Sequence, residues 1–367
     1  MASAKHEAGR PEVDDELAVK KVSPLVDHSL GIALLALIAI FVLKIRDDTD
    51  TMLLFASCLI AVIVGISAVR AGAEAIGRKL SQLRCGGNIP TDCRDPLKSN
   101  IAMKKWKDQA WQLAIHLSMS LFELKMIRQN PQWWQDPATC FINCPKEHYT
   151  PNDDPAALSN DMRLFYVLQL AIWMWTGFSC KWLEERRKDY VEMMLHHVVT
   201  VALILSSFIN KQWAIGMIVL TCHDASDVVL DIMKMANYLK VEDAHGFFIV
   251  EAAFVTNTYI SWPYFRLYCF PRYVIWGGSF LGYHHNCAKN GNAGFPHLNS
   301  SPLDEAGNPV PNWMVANVLL TILLCLHVFW FLLLHRIGMK IAFGAKPNQA
   351  GDAEYEITMK DGDKKKD

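Results

Sequence analysis

The chain has almost no net charge. Its 367 residues carry 36 Lys and Arg against 37 Asp and Glu, a balance that supplies no electrostatic case for nucleic acid or a strongly charged partner. Zinc-type Cys/His spacings are missing despite ten cysteines, so no metal is expected. A di-iron lipid hydroxylase or desaturase needs several histidine boxes; here there are only the isolated pairs His196-His197 and His284-His285. The spaced aspartate cluster with Gly and Arg that marks a phospholipid head-group transferase is also lacking. The first 27 residues offer neither a basic region nor a small-residue cleavage site, so the first apolar run is expected to be a retained anchor.

What the chain does have is apolar length. Thr51 to Val69 is a run of 19 residues without a charge, and Val315 to Leu334 holds only His327 as an ionisable side chain. At about 1.5 Å per residue such runs cover roughly 28–30 Å, the thickness of a bilayer's hydrocarbon region. The pattern predicts an all-α polytopic membrane protein with eight spans, at about 28–45, 51–70, 107–127, 163–182, 190–209, 213–235, 246–275 and 312–335. The third span carries Lys107, Asp108, His116 and Glu123, which predicts that it faces protein more than lipid. Pro263 and Pro271 predict a kink or break in the seventh, with a further short helix up to Gly282 left open.

Loop charges orient these spans. Arg70, Arg78, Lys79, Arg84, Arg94, Lys98, Lys104 and Lys105 follow the second span, and Lys181, Arg186, Arg187 and Lys188 follow the fourth. Both segments are expected in the cytosol, and the acid-rich 128–162 and base-poor 277–311 in the lumen. Both termini are then cytosolic. The one sequon, Asn299-Ser300-Ser301, falls in a luminal loop and makes Asn299 a candidate glycosylation site. Trp133, Trp134, Trp182, Trp213, Trp276 and Trp313 lie near span ends, as interfacial indoles do. Cys140 and Cys144 share the oxidising side, which leaves a disulfide between them open. The terminal Lys364-Lys365-Lys366-Asp367 is similar to a dilysine retrieval signal of the endoplasmic reticulum, and reads equally as a charged tail. The expected organisation is a polar cytosolic tail (1–27), a transmembrane hairpin (28–70), a basic cytosolic loop (71–106), a six-helix membrane domain (107–336) and a charged cytosolic tail (337–367).

Ionisable residues inside spans are costly, about 2.5–3.5 kcal/mol each at a helix centre, so each demands a partner or a polar cavity. Two spans concentrate them. The fifth carries Glu192, His196 and Thr200 at i, i+4 spacing, with His197 adjacent. The sixth carries His223, Asp227, Asp231 and Lys234 on one face, with Asp224 beside it. Counting from the cytosolic ends, His196 and His197 lie about 9–10 Å deep and Asp227 about 12 Å. The short link Asn210-Lys211-Gln212 makes the two spans antiparallel neighbours. Histidines and carboxylates therefore meet at one level, an arrangement suited to proton-transfer chemistry.

These residues resemble the Lag1 motif of the ceramide synthases, within the TLC (TRAM, LAG1, CLN8) membrane domain. The matching text is R-K-D-Y-x-x-M-x-x-H-H-x-x-T from Arg187 to Thr200, H-D-x-S-D from His223 to Asp227, and K-x-x-N-Y from Lys234 to Tyr238. Weaker similarity runs from about Lys105 to Arg336 and includes Arg266-Leu267 followed by Pro271. Translocon-associated members share the domain but not the paired His with H-D-x-S-D. Asp231 stands where many members have Glu, and no homeobox-like segment separates the second and third spans.

The resemblance implies a bundle of six membrane helices and transfer of a fatty acyl group from acyl-CoA to the amine of a sphingoid base. It implies no cofactor beyond acyl-CoA as co-substrate, residence in the endoplasmic reticulum membrane, and leaves a homodimer open. An amine that is mostly protonated at pH 7 needs a base, and a thioester under attack needs oxyanion stabilisation. On this reading His196 or His197 takes the amine proton or first accepts the acyl group, while Asp224 and Asp227 orient the imidazoles. His223, Ser226, Asp231, Lys234 and Asn237 complete the polar network. Arg186, Arg187 and Lys188 at the cytosolic mouth are candidates for the CoA phosphates, or mark only the positive-inside rule. The acyl chain needs an apolar tunnel toward the lumen. In the family the long final luminal loop, about His284 to Pro311 here, bears on acyl-chain choice. The competing reading is a non-enzymatic TLC-domain lipid carrier or translocon-associated protein, which has no use for His196 and His197.

Overall fold

Two long helices, α1 (Pro24–Ile45) and α2 (Thr49–Arg84), form an N-terminal hairpin. Proline opens α1, where its missing N–H is one of the helix's unpaired donors anyway. The turn is fixed by Asp48, whose carboxylate accepts from the Thr51 backbone N–H at 3.0 Å and from its hydroxyl at 2.6 Å. Arg163, from a later helix, closes on the same carboxylate at 3.1 Å. These hydrogen bonds, and then the guanidinium, hold Asp48 below the usual carboxylate range.

The structure, a computed structural model, describes residues 23–84, 97, 100–137, 159–184, 189–210, 212–239, 249–281 and 313–343. Beyond the hairpin come α3 (Asn100–Gln129), the single turn α4 (Gln132–Gln135), α5 (Asn160–Trp182), α6 (Tyr190–Ile209) and α7 (Trp213–Tyr238). Next is α8 (Ile249–Val255), which runs on through the wider π-helical turns Thr256–Ser261 and Pro263–Leu281, and last α9 (Trp313–Ala342). No strand occurs among the described residues. Asn299, Cys140, Cys144, His284-His285 and the terminal lysines lie outside them.

This is an all-α polytopic membrane protein. On α1 and α2 the outward side chains are apolar: Ile32 is 66% exposed and Ile60 is 63%. That surface is adapted to lipid rather than water. Four helices, α1, α2, α6 and α9, are long and apolar enough by composition to cross a membrane. The helices α3, α5, α7 and the α8 rod fall short of that measure, and each carries polar residues into the interior, Glu123, Gln169, Asp224 and Arg266 among them.

Of the kink or break expected at the seventh span, no break is found, and the helical turns run on to Leu281. The rod stays helical through Pro263 and Pro271, with its turns widened to the i→i+5 pattern. Proline lacks the N–H that an α-turn uses and crowds the preceding carbonyl, and a wider turn relieves that crowding without ending the helix.

Packing sets where a site can be. α3 packs on α7, α7 on the rod, the rod on α9, α9 on α6 and α6 on α5. Phe122 of α3 meets Phe165 of α5 edge to face, with centroids 5.5 Å apart, and closes the ring. The hairpin lies outside, α2 against α3 and α5, α1 against α6. Gly177 lets α1 approach: a Cβ there would lie 3.2 Å from Leu34 and 3.4 Å from the Cβ of His197. Where α1 begins, the buried Asp27 accepts from the half-buried Lys181 at 2.5 Å and from the buried Tyr190 hydroxyl at 2.6 Å.

Candidate active site

The ring of six helices encloses a cavity of about 260 Å³ that every one of them lines. Its mouth lies among helix ends, at Lys105, Glu184, Lys234, Asn237 and Tyr238. Deeper in, its wall includes His116 of α3, Trp173 of α5, His196 and His197 of α6, Asp227 and Asp231 of α7, Arg266 of the rod and Trp330 of α9. The two helices singled out by charge thus meet, as antiparallel neighbours joined by a short link.

His196 is the focus. It is 6% exposed, and neither of its ring nitrogens has a hydrogen-bond partner. Aromatic rings hold it from two sides, Trp173 at 5.3 Å and Trp330 at 5.4 Å between centroids. Trp173 also lies 5.5 Å from His197. The Trp330 indole donates to Asp189 at 3.3 Å, which fixes that ring relative to the start of α6. Thr200, one turn further along α6, likewise has a buried hydroxyl without a partner.

His223 is bonded at both nitrogens. Its Nδ1 lies 2.6 Å from the Val219 carbonyl, an acceptor only, so Nδ1 carries the proton. Nε2 lies 2.8 Å from Nε2 of His327. In the neutral ring that nitrogen accepts, so His327 donates and its own Nδ1, buried without a partner, is the unprotonated one. His223 therefore has no free nitrogen to offer a substrate. His327 sits at the centre of α9 and its carbonyl accepts from Trp262 at 3.1 Å.

The carboxylates have partners other than those expected. Asp227 pairs with Arg266 at 2.6 Å, and the same guanidinium donates through Nε to Ser226 at 2.7 Å and contacts the His223 carbonyl at 3.4 Å. Arg266 also stacks over Trp262, 4.4 Å from its centroid. Ser226 in turn donates to the His223 carbonyl at 2.8 Å. Asp231 accepts from His116 at 2.7 Å and from Gln109 at 2.5 Å, and His116 Nε2 lies 4.0 Å from Asp227. The imidazole flanked by carboxylates is therefore His116 of α3, not His196. Asp224 does not line the cavity. It accepts from Gln169 at 3.0 Å, whose oxygen accepts from the Trp173 indole at 3.1 Å, with Glu123 buried alongside. Asp224 thus bears on the histidine pair through Gln169 and Trp173, because its position on α7 turns it toward α5 and α3.

Of the remaining expected residues, Lys234 and Asn237 line the mouth, and the Asn237 side-chain oxygen is buried without a partner. Arg186, Arg187 and Lys188 lie outside the described residues. His116, Arg266, Trp173, Gln169, Trp330 and His327 enter the site without having been singled out as site residues. The intramembrane charge of His116 and His327 was visible, but the facing of their helices was not. Among the described residues, no three His, Cys, Asp or Glu side chains are grouped to hold a metal ion.

Residues 105–336, the six-helix ring with its connections, match the TLC domain shared by TRAM, LAG1 and CLN8 proteins. The chain belongs to the TLC domain family. Among TLC-domain proteins it is similar to ceramide synthase LOH1 of Arabidopsis thaliana, 27% identical over 266 residues, which covers 71% of this chain and 77% of that protein. It is 26% identical to ceramide synthase 5 of Homo sapiens over 71% of this chain and 57% of that protein. With ceramide synthase 1 of Homo sapiens it shares 28% over 69% of this chain and 65% of that protein.

Proposed function

We propose that this TLC-domain protein is a ceramide synthase, transferring a fatty acyl group from acyl-CoA to the amine of a sphingoid base. The observation that carries the proposal is His196. A buried imidazole with unpartnered nitrogens costs about 1–3 kcal/mol, and a cavity wall is where a substrate offsets that cost. The likeness to proteins named ceramide synthase supports the same reading.

In this proposal the thioester enters from the cytosolic mouth and its carbonyl carbon comes against His196. Lys105 and Lys234 at the mouth, with Arg186, Arg187 and Lys188 between α5 and α6 in the sequence, attract the CoA phosphates. The Arg266–Asp227 pair holds a fixed charge distribution beside the reacting carbon, and Trp173 and Trp330 exclude water. His196 either removes the amine proton during direct attack or takes the acyl group first and passes it on. Loss of CoA without an amine present, together with a mass increase of one acyl group, marks the second route; an unmodified protein that still forms product marks the first. The reaction needs no cofactor. The protein is placed in the endoplasmic reticulum membrane with eight spans and both termini cytosolic, alone or as a homodimer.

The test is to incubate detergent-purified protein with a sphingoid base and acyl-CoAs of several lengths and to detect N-acyl product by mass spectrometry. Absence of product in a preparation that binds both substrates rejects the enzyme and leaves a lipid carrier.

A further inference from the structure

A second, narrower cavity of about 40 Å³ begins beside the histidines and runs away from the mouth. Trp173 lines both cavities, and Thr200 and His223 line the near end of the second. Its walls are hydrocarbon from three helices, Leu203 and Ile204 of α6, Ile215 and Leu220 of α7, Leu320 and Leu323 of α9. A space this narrow and apolar admits a single unbranched hydrocarbon chain and little else.

The far end is closed by hydrogen bonds. The Tyr166 hydroxyl and Ser207 Oγ lie 2.7 Å apart, and their two protons serve that contact together with the Trp213 carbonyl, 2.8 Å from Tyr166, and the Gln212 carbonyl, 2.5 Å from Ser207. Tyr166 is fully buried. Gly216 makes the closure fit, since a Cβ there would collide with the Tyr166 hydroxyl and with Ser207 Oγ. Tyr166, Ser207, Gln212 and Gly216 all line the cavity. A methyl end arriving here meets a floor of buried hydroxyls whose bonds must break before it can go further.

We infer that this floor, built by Tyr166, Ser207 and Gly216, sets the length of the acyl chain. The inference rests on the ceramide synthase reading and extends it to substrate choice. His196 and Ser207 are eleven residues apart on one helix, a rise of about 16 Å. Carbon–carbon bonds of about 1.5 Å advance roughly 1.25 Å each along an extended chain. An acyl group with its carbonyl at His196 therefore reaches the floor after about 13 further carbons. The preferred substrates are acyl-CoAs of about 14–16 carbons, and a chain of about 20 or more must displace the tyrosine, at a loss of about tenfold or greater.

The test measures kcat/KM for saturated acyl-CoAs from about 12 to 26 carbons with one sphingoid base. A maximum near 14–16 carbons is expected in the unaltered protein. Tyr166→Ala opens the floor and moves the maximum about four carbons longer, the reach of the lost side chain. Ala316→Leu, from the α9 wall of the same cavity, narrows it and moves the maximum shorter. A maximum at 22 carbons or beyond in the unaltered protein, or a profile that neither variant moves, overturns the inference while leaving the enzyme in place. If Tyr166→Ala does not fold, the unaltered profile and Ala316→Leu decide. Absence of N-acyl product at every length is a different outcome, the failure of the ceramide synthase reading, and the floor falls with it.

Discussion

Arg266→Met tests the charge network directly. The arginine is 3% exposed and makes three polar contacts, to Asp227 at 2.6 Å, Ser226 at 2.7 Å and the His223 carbonyl at 3.4 Å. Methionine fills much of the volume over Trp262 but leaves a carboxylate without its cation inside a membrane protein. Removing one member of a buried pair typically costs 3–5 kcal/mol. Because Asp227 keeps 16% of its side chain open to the cavity, water offsets part of the loss, and the expected cost is about 3 kcal/mol. In detergent that corresponds to a fall in Tm of roughly 5 °C or more. Adding Asp227→Asn to Arg266→Met removes the stranded charge and should recover at least about 1 kcal/mol, so the two changes are strongly non-additive. A Tm within about 1 °C of the unaltered protein, or a double variant no more stable than the single, would refute the reasoning.

The other predictions follow from the same geometry. His196→Ala should abolish acyl transfer with little change in Tm, because the ring has no hydrogen bonds to lose; retained turnover would place the chemistry elsewhere. His327→Leu should strand the His223 Nε2 acceptor and lower stability by about 1–3 kcal/mol, whereas His327→Gln, which still carries a donor, should lose less; equal losses would contradict the assigned tautomers. Asp48 has a depressed pKa through Thr51 and Arg163, so its contribution is complete above the ordinary carboxylate pKa and declines as pH falls through its own lower value. Asp48→Asn should therefore flatten the acid limb of stability in a pH-dependent Tm series, and an unchanged limb would show that the turn contributes nothing there.

Helix positions were largely legible in the sequence because lipid imposes a long apolar period that nothing else requires. The fifth span was expected at 190–209, and α6 occupies the same residues. That the helices bearing His196 and Asp227 lie side by side also followed from the sequence, since a link of three residues leaves antiparallel neighbours no alternative. Asp224 shows where such reading stops. It is three residues from Asp227, and depth alone cannot tell which neighbour each faces. Packing of α3 and α5 against α7 turns Asp224 to Gln169 and away from the cavity. His116 illustrates the converse: a histidine on a span with weak apolar character became part of the wall only because α3 lies along α7.

By itself the sequence determined that this chain is a polytopic α-helical membrane protein with ionisable residues inside its spans, most densely on two neighbouring helices. Charge in a low-dielectric interior is so costly that its few occurrences mark a site wherever they stand. The tertiary structure alone decided which imidazole is free, which carboxylate is paired, and where the inner cavity ends. Those properties depend on hydrogen bonds between side chains far apart in the chain, such as Arg266 with Asp227 and Tyr166 with Ser207. A short-range pattern holds no record of them, because they exist only once six helices have closed around a common space.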